Sequence, residues 1–276
     1  MKILVASDFS QTAVEATRHA ASIAQLRGAE ITLLEVIKPI PEIYGLHKDP
    51  ATVEQQQSLL RDSLMKVTKA ASDLQGIFEI SVKPLIVEGR VITSICEVAE
   101  KLSADLIVIG AHGVTGFKEF IIGSNAYGVA QRSACPVLVI PSNSTRTKLT
   151  TIMFPVRNNT GGLEKYPSLL NVIGRPDLKL MVFGIFSEGE NQTEDLKSKI
   201  KNFANQMEQH GTPTKLEIKT IDSDLADEVI SRANLLECDL IVITSRRKTS
   251  ISDFIFGKFA QRIINHSNLA TLHIRT

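Results

Sequence analysis

The chain has 276 residues, long for one compact domain and comfortable for two. Hydrophobic residues make up 43% and charged residues 22%, so each half can bury a core and keep a polar surface. Lys and Arg number 31 against 30 Asp and Glu, which leaves no basic footprint for nucleic acid or an anionic membrane. Aromatics are 5% and Trp is absent, so stacking platforms for single strands are not evident. The opening Met-Lys-Ile-Leu-Val-Ala-Ser-Asp lacks the pattern of a secretion signal, and no run approaches the ~18 apolar residues of a membrane span. Cys96, Cys135 and Cys238 are scattered without CxxC spacing. The expectation is a cytoplasmic protein with buried, reduced thiols rather than a disulfide framework or zinc site.

Taken in chain order, strand-like and helix-like segments alternate. Residues Lys2–Ser7 (KILVAS) form an apolar, β-branched run ended by Asp8-Phe9-Ser10. From Gln11 to Arg27, Ala13, Ala16, Ala20, Ile23 and Ala24 recur at helical spacing, with Gly28 as the stop. A second strand, Glu30–Ile37, leads into the Pro-rich KPIPEIYGLHKDP, and a polar-faced helix is predicted over Thr52–Leu74. A third strand is expected at Ile77–Val87, a helix at Ile92–Leu102 and a fourth strand, DLIVIG, at Asp105–Gly110. A helix over Gly123–Ser133 and the strand PVLVI at Pro136–Ile140 complete the set. Continuous apolar strands separated by amphipathic helices mean a parallel sheet covered on both faces.

Pro141 to Lys148 is polar and reads as a linker, after which the pattern restarts. TIMFPV at Thr151–Val156 corresponds to KILVAS, Leu178–Phe186 to the second strand, and DLIVIT at Asp239–Thr244 to DLIVIG. Phe256–His266 matches the last helix and Ala270–Ile274 the last strand. This is an internal duplication, with domains over 1–141 and 149–276. The second copy is shorter, which fits loss of most of the Pro-rich loop; that loop reads equally as a flap or a surface excursion.

The chemistry concentrates in Gly110-x2-Gly113-x9-Gly123-Ser124, directly after the fourth strand, where open α/β sheets bind ligands. Glycines let backbone amides approach a phosphate, and a helix beginning at Gly123-Ser124 favours an anion. Each residue also has a plain structural reading. Gly110 can end a strand, Gly113 can serve a turn, Ser124 can be an N-cap, and Asp8 can cap the first helix with Ser10. His112 reads as a loop residue, with no partner evident nearby, and Lys118 and Glu119 as a solvated face.

The glycine spacing resembles the ATP-binding signature of the universal stress protein family. The acid after strand one (Asp8), the DLIV-x-G strand and the Cys135-Pro136 fifth strand follow in the same order over residues 1–140. The resemblance implies two tandem, open-twisted, five-stranded parallel sheets flanked by helices, a Rossmann-like fold with a pseudo-two-fold axis. It places Asp8 at the adenosine end and Val36 in the adenine pocket, with Gly110 and Gly113 cradling phosphates. Gly123 and Ser124 bind phosphates at the helix start, and Asn125 adds a polar contact. ATP with magnesium or manganese on its phosphates is the implied ligand, and strand five is expected to pair across the two-fold, Val137–Ile140 with Thr271–Ile274. Further homo-oligomers would use other surfaces.

The second copy departs from this pattern. Arg157 stands for Asp8, Thr244 for Gly110, Arg247 for Gly113, and Gly257-Lys258 for Gly123-Ser124. It is expected to act as a partner without ATP, its Arg246, Arg247, Lys248 and Lys258 reading as a solvated basic loop or an anion contact. No GxxxxGK[ST] loop and no obvious aspartate pair exist, so a non-enzymatic regulatory role with at most slow hydrolysis is expected. The alternatives are a nucleotide-independent interaction module using the pseudo-dimer surface, and an adenylyl-transferring ligase. The latter lacks a substrate domain and an adenylation lysine motif.

Overall fold

The computed structural model describes residues 1–39, 50–111, 123–142, 144, 146–157, 162–174, 176–189, 194–245 and 257–275. Its first half comprises β1 (Lys2–Ala6), α1 (Gln11–Arg27), β2 (Glu30–Ile37), α2 (Pro50–Phe78), β3 (Val82–Glu88), α3 (Val91–Leu102), β4 (Leu106–Gly110), α4 (Ser124–Arg132) and β5 (Val137–Ile140). The second half repeats it with β6 (Thr151–Val156), a 3-10 turn (Gly162–Lys165), α5 (Tyr166–Val172), β7 (Lys179–Ser187) and α6 (Glu194–Gln209). It continues through β8 (Thr214–Ile221), α7 (Leu225–Leu235), β9 (Leu240–Ser245), α8 (Lys258–His266) and β10 (Ala270–Arg275).

The two five-stranded sheets are continuous. Strand order is β3-β2-β1-β4-β5-β10-β9-β6-β7-β8, ten strands in one sheet. Pairing is parallel within each half, while β5 and β10 meet antiparallel with Leu138 opposite Leu272 and Val139 opposite Thr271. Antiparallel pairing is what a two-fold axis imposes when the same edge strand meets its own copy. It also removes two exposed edges.

Strand alternation sorts the core into two layers. Ile3, Val5, Val108, Leu138 and Leu272 face α1, α2, α5 and α6, whereas Leu4, Ile107, Val137, Val139 and Ile241 face α3, α4, α7 and α8. Both layers run through both halves. The aspartate that opens DLIVI does the same work in each copy. Asp105 accepts the amide of Lys2 at 2.7 Å, and Asp239 those of Thr150 and Thr151 at 3.0 and 2.9 Å.

Other contacts cross the joint. Arg275 donates to the Gln131 carbonyl at 2.7 Å on one face, and Arg27 to that of Asn171 at 3.2 Å on the other. Buried His273 lies opposite Val137, its imidazole pKa pushed down to about 4, first by burial and then by Arg275. The linker is pinned down. Fully buried His19 has Nε2 3.0 Å from the Arg146 carbonyl oxygen and 3.1 Å from the Ser144 hydroxyl, and Leu149 enters the core.

Three sequence expectations are corrected. The third strand starts at Val82, not Ile77, because α2 runs on to Phe78 and Glu79 then turns through a left-handed φ of 54°. The second copy is short partly because α6 has 16 residues where α2 has 29, so the loss is not confined to the Pro-rich loop. Residues 40–49 of that loop lie outside the described residues. Of the three thiols only Cys238 is buried, its pKa pushed up to about 12 by burial; Cys96 and Cys135 are half-buried, and burial raises theirs too. No helix among the described residues is long and apolar enough to cross a membrane.

Leu138 and Leu272 are both fully buried at the joint. Leu138→Ala should therefore cost about 2–4 kcal/mol in urea unfolding of the whole chain. An unchanged midpoint would mean that the joint lies outside the cooperative unit.

Candidate functional site

The order of strands reverses between β1 and β4, and crevices of this kind open at the carboxyl ends of such a pair. Ala6 is registered with Ile109, so the segment leaving β1 and the end of β4 flank one crevice. The exit from β1 is tightly built. Ser7 donates its amide to the Leu34 carbonyl at 2.9 Å, and its hydroxyl accepts from the Phe9 amide at 3.1 Å. Phe9 adopts φ 58°, a left-handed conformation costly for a bulky residue and held here by its neighbours. Asp8 accepts from the Ser10 amide at 3.0 Å and stays exposed. Ser10 alone is the N-cap of α1, accepting from Ala13 at 3.3 Å, so Asp8 shapes the turn before the helix.

Gly110 owes its identity to packing. A Cβ there would lie 2.9 Å from the Thr12 methyl and 3.0 Å from the Thr12 carbonyl carbon, so the start of α1 fills the space a side chain would need. Gly123 is the N-cap of α4 with extended backbone, and its amide donates to the Ala111 carbonyl at 2.7 Å. That bond closes the 111–123 segment and commits one of the amides expected to face a phosphate. The first intrahelical bond of α4 runs from Tyr127 to Gly123, so the amides of Ser124, Asn125 and Ala126 precede it. Ser124 and Asn125 are exposed, and no acid occupies the first turn, which leaves the positive end of the helix open to an anion. Gly113 and His112, with Lys118 and Glu119, lie outside the described residues.

Val36 lies near the end of β2, registered with Val87 and half-buried on the α3 and α4 face with Ile92 and Tyr127. Two strand spacings, about 10 Å, separate β2 from β4. The described residues thus bring Asp8, Val36, Gly110, Gly123, Ser124 and Asn125 to one end of one half-sheet. They fit a ligand with an apolar end over β2 and an anionic end at α4. No group of three or more His, Cys, Asp or Glu that could hold a metal occurs among the described residues, so any cation there would be carried mainly by the ligand's own oxygens.

Sequence reasoning missed Glu35. Its Oε2 is shielded and has no hydrogen-bond partner among the described residues, and burial raises its carboxyl pKa. A hydrogen bond from Ser63 and the charge of Lys66 oppose the rise, while the charge of Asp8 adds to it. An acid inside the apolar run EITLLEVI was the signal.

In the second half the same places carry other chemistry. Arg157 follows β6, the nearly buried Thr244 stands at the Gly110 position, and Lys258 opens α8 where Ser124 opens α4. A side chain is tolerated at 244 because β6 is followed by a 3-10 turn and a short α5, not by a helix like α1. Arg246, Arg247 and Lys248 lie outside the described residues.

A doubly wound parallel sheet with helices on both faces, its crevice opening at the strand-order reversal, defines a Rossmann-like α/β protein. The sequence profile described as "Universal stress protein family" matches residues 1–141 and 167–275, and the chain belongs to that family. Two universal stress proteins of Methanocaldococcus jannaschii, MJ0531 and MJ0577, are 32% and 31% identical to it over 139 and 152 residues. Each match covers 50% of this chain, and 81% and 93% of those proteins respectively, as expected when single-copy relatives align with one half. The crystal structure of a universal stress protein from Archaeoglobus fulgidus superposes with a TM-score of 0.76. It covers 99% of this chain and 98% of that one at 15% identity, which establishes the two-copy fold.

Two substitutions probe this geometry. Gly110→Ala should lower stability by about 1–3 kcal/mol in urea titration, because the contacting atoms include α1 backbone; a neutral result would show that α1 can move away. Glu35→Gln should raise the melting temperature at pH 8 by roughly 1–3 °C. A carboxyl whose folded pKa is raised destabilises increasingly as pH climbs past its unfolded value, so the gain should vanish below about pH 4. A pH-independent gain would contradict the assignment.

Proposed function

We propose that this universal stress protein binds ATP in its first half as a conformational ligand in the stress response, with little or no turnover, in the cytoplasm. The observation that carries the reading is the uncapped start of α4. Ser124 and Asn125 are exposed there, without an acid, in the crevice that also holds Asp8 and Val36. In this reading Ser124, Asn125 and Ala126 supply amides and a hydroxyl to phosphate oxygens. Asp8 accepts from the ribose or adenine, and Val36 offers an apolar surface to the base. Magnesium or manganese on the phosphates would neutralise part of their charge. Slow turnover follows from the lack of a P-loop lysine motif in the sequence.

A second reading, a nucleotide-independent interaction module, is favoured by two observations. Gly110 is explained by packing against Thr12, and the Gly123 amide already has an acceptor.

Mass analysis of small molecules released from natively purified, denatured protein separates the two, with an adenine nucleotide expected. In calorimetry, Ser124→Glu should weaken ATP binding at least ten-fold by placing a carboxylate at the helix start. Gly113→Arg, copying the second half, should do the same. Unchanged affinity in both variants would move the function away from this crevice.

A further inference from the structure

We infer that the second half holds a binding site for a small carboxylate with an apolar body, toward the amino ends of its strands and away from the crevices. A cavity of about 280 Å³ lies there between α7 and the first residues of β7 and β8. Its floor is half-buried Met181, backed by the fully buried Met153 and Phe183, and Leu216 and Leu236 add apolar walls. The charged lining groups are Lys215 and Glu217 of the edge strand β8, and Arg232 in the last turn of α7. Arg232 donates from Nε to Glu217 Oε2 at 2.7 Å, and its Nη2 reaches the same oxygen. That pair ties α7 to β8 and walls the cavity rather than filling it.

The first half carries different side chains at the same place. Strand registers match Glu217 to Leu85, and the left-handed residues after α3 and α7, Ser103 and Glu237, match Arg232 to Val98. Leu85 and Val98 belong to the core layer, packed with Leu102. A half-buried ion pair adds little stability over well-packed apolar residues, so packing does not account for the exchange. The lysine is kept, Lys83 in one half and Lys215 in the other, but its counter-charge is not. Lys83 pairs with Glu30 at 2.8 Å, whereas Lys179 stands at the Glu30 position. Two cations and one anion therefore line the cavity, one positive charge in excess. An apolar floor beside a single excess cation selects a monoanion whose body leaves water while its carboxylate meets Lys215 and Arg232. The volume lies just below the range of drug-sized ligands, too small for a nucleotide and suited to one ring or a short chain. Methionine side chains adapt to either body and pack well against a ring. The site does not depend on ATP in the first half.

The test uses the full chain with 13C in its methionine methyl groups, titrated with phenylacetate, hexanoate and the neutral 2-phenylethanol. The Met181 and Met153 signals should shift saturably with one or both carboxylates, and the alcohol should bind roughly three-fold or more weakly than phenylacetate. The difference between the two carboxylates tells an aromatic from an aliphatic body. Lys215→Glu, at an exposed position, should abolish the preference for carboxylate over alcohol. Arg232→Val together with Glu217→Leu restores the residues of the first half and should close the cavity to every probe. The single exposed variant keeps the test decisive if the double variant fails to fold. Absence of saturable shifts at millimolar phenylacetate, equal affinity for carboxylate and alcohol, or a preference that survives Lys215→Glu would overturn the site. So would shifts that disappear with Ser124→Glu, because they would belong to the first half.

Discussion

The antiparallel pairing of β5 with β10 is the constraint on which the rest of the molecule depends. Each half is an open parallel sheet whose fifth strand would otherwise present a bare edge of amides and carbonyls. Joining the two edges makes one ten-stranded sheet and lets both core layers continue across it. The joint is buried and uncharged at its centre, with Leu138 against Leu272 and a His273 that burial keeps neutral near pH 7. Its periphery is held by Arg275 of β10 bonded to Gln131 of α4, and by Arg27 at the end of α1 bonded to Asn171 of α5. The second half thus acts as a partner subunit covalently attached to the first, and the His19 clasp on the linker holds the connection against α1.

Having two copies of a fold in one chain frees one of them chemically. The fold-bearing parts are kept in both: the aspartate that ties the DLIVI strand to its neighbour, the buried strands, and the glycine before the last helix. What differs is the crevice. In the first half an acid, a glycine and a serine stand around the reversal of strand order; in the second an arginine, a threonine and a lysine do. The charge is therefore reversed after the first strand of each half, and a neutral serine at the start of the last helix is replaced by a lysine. Such a swap changes which ligand charge is attracted without changing the core that positions it.

The sequence made much of this legible for identifiable reasons. KILVAS, DLIVIG and PVLVI are short apolar runs that only a doubly covered strand can bury, so the element order and the duplication followed from pattern. The clasp on Pro141–Lys148 was not legible, since His19 lies far from Arg146 in the chain. That a Cβ at Gly110 would meet the start of α1 is invisible in the sequence, because Thr12 lies far from it along the chain. The bond from the Gly123 amide to the Ala111 carbonyl is likewise absent from the sequence pattern, which only marks Gly123-Ser124 as a helix start. Glu35 passed unnoticed because its burial comes from α2, remote in sequence.

Residue order alone therefore determined the kind and succession of elements, the repeat, and the contrast between the two glycine patterns. These rest on local periodicity and on which side chains are present. The expected pairing of the two fifth strands is borne out as an antiparallel joint, but only the tertiary structure decided its register, which amide is already bonded, and which glycine is needed by a neighbouring helix. These depend on distances between groups far apart along the chain, and no local pattern encodes such distances.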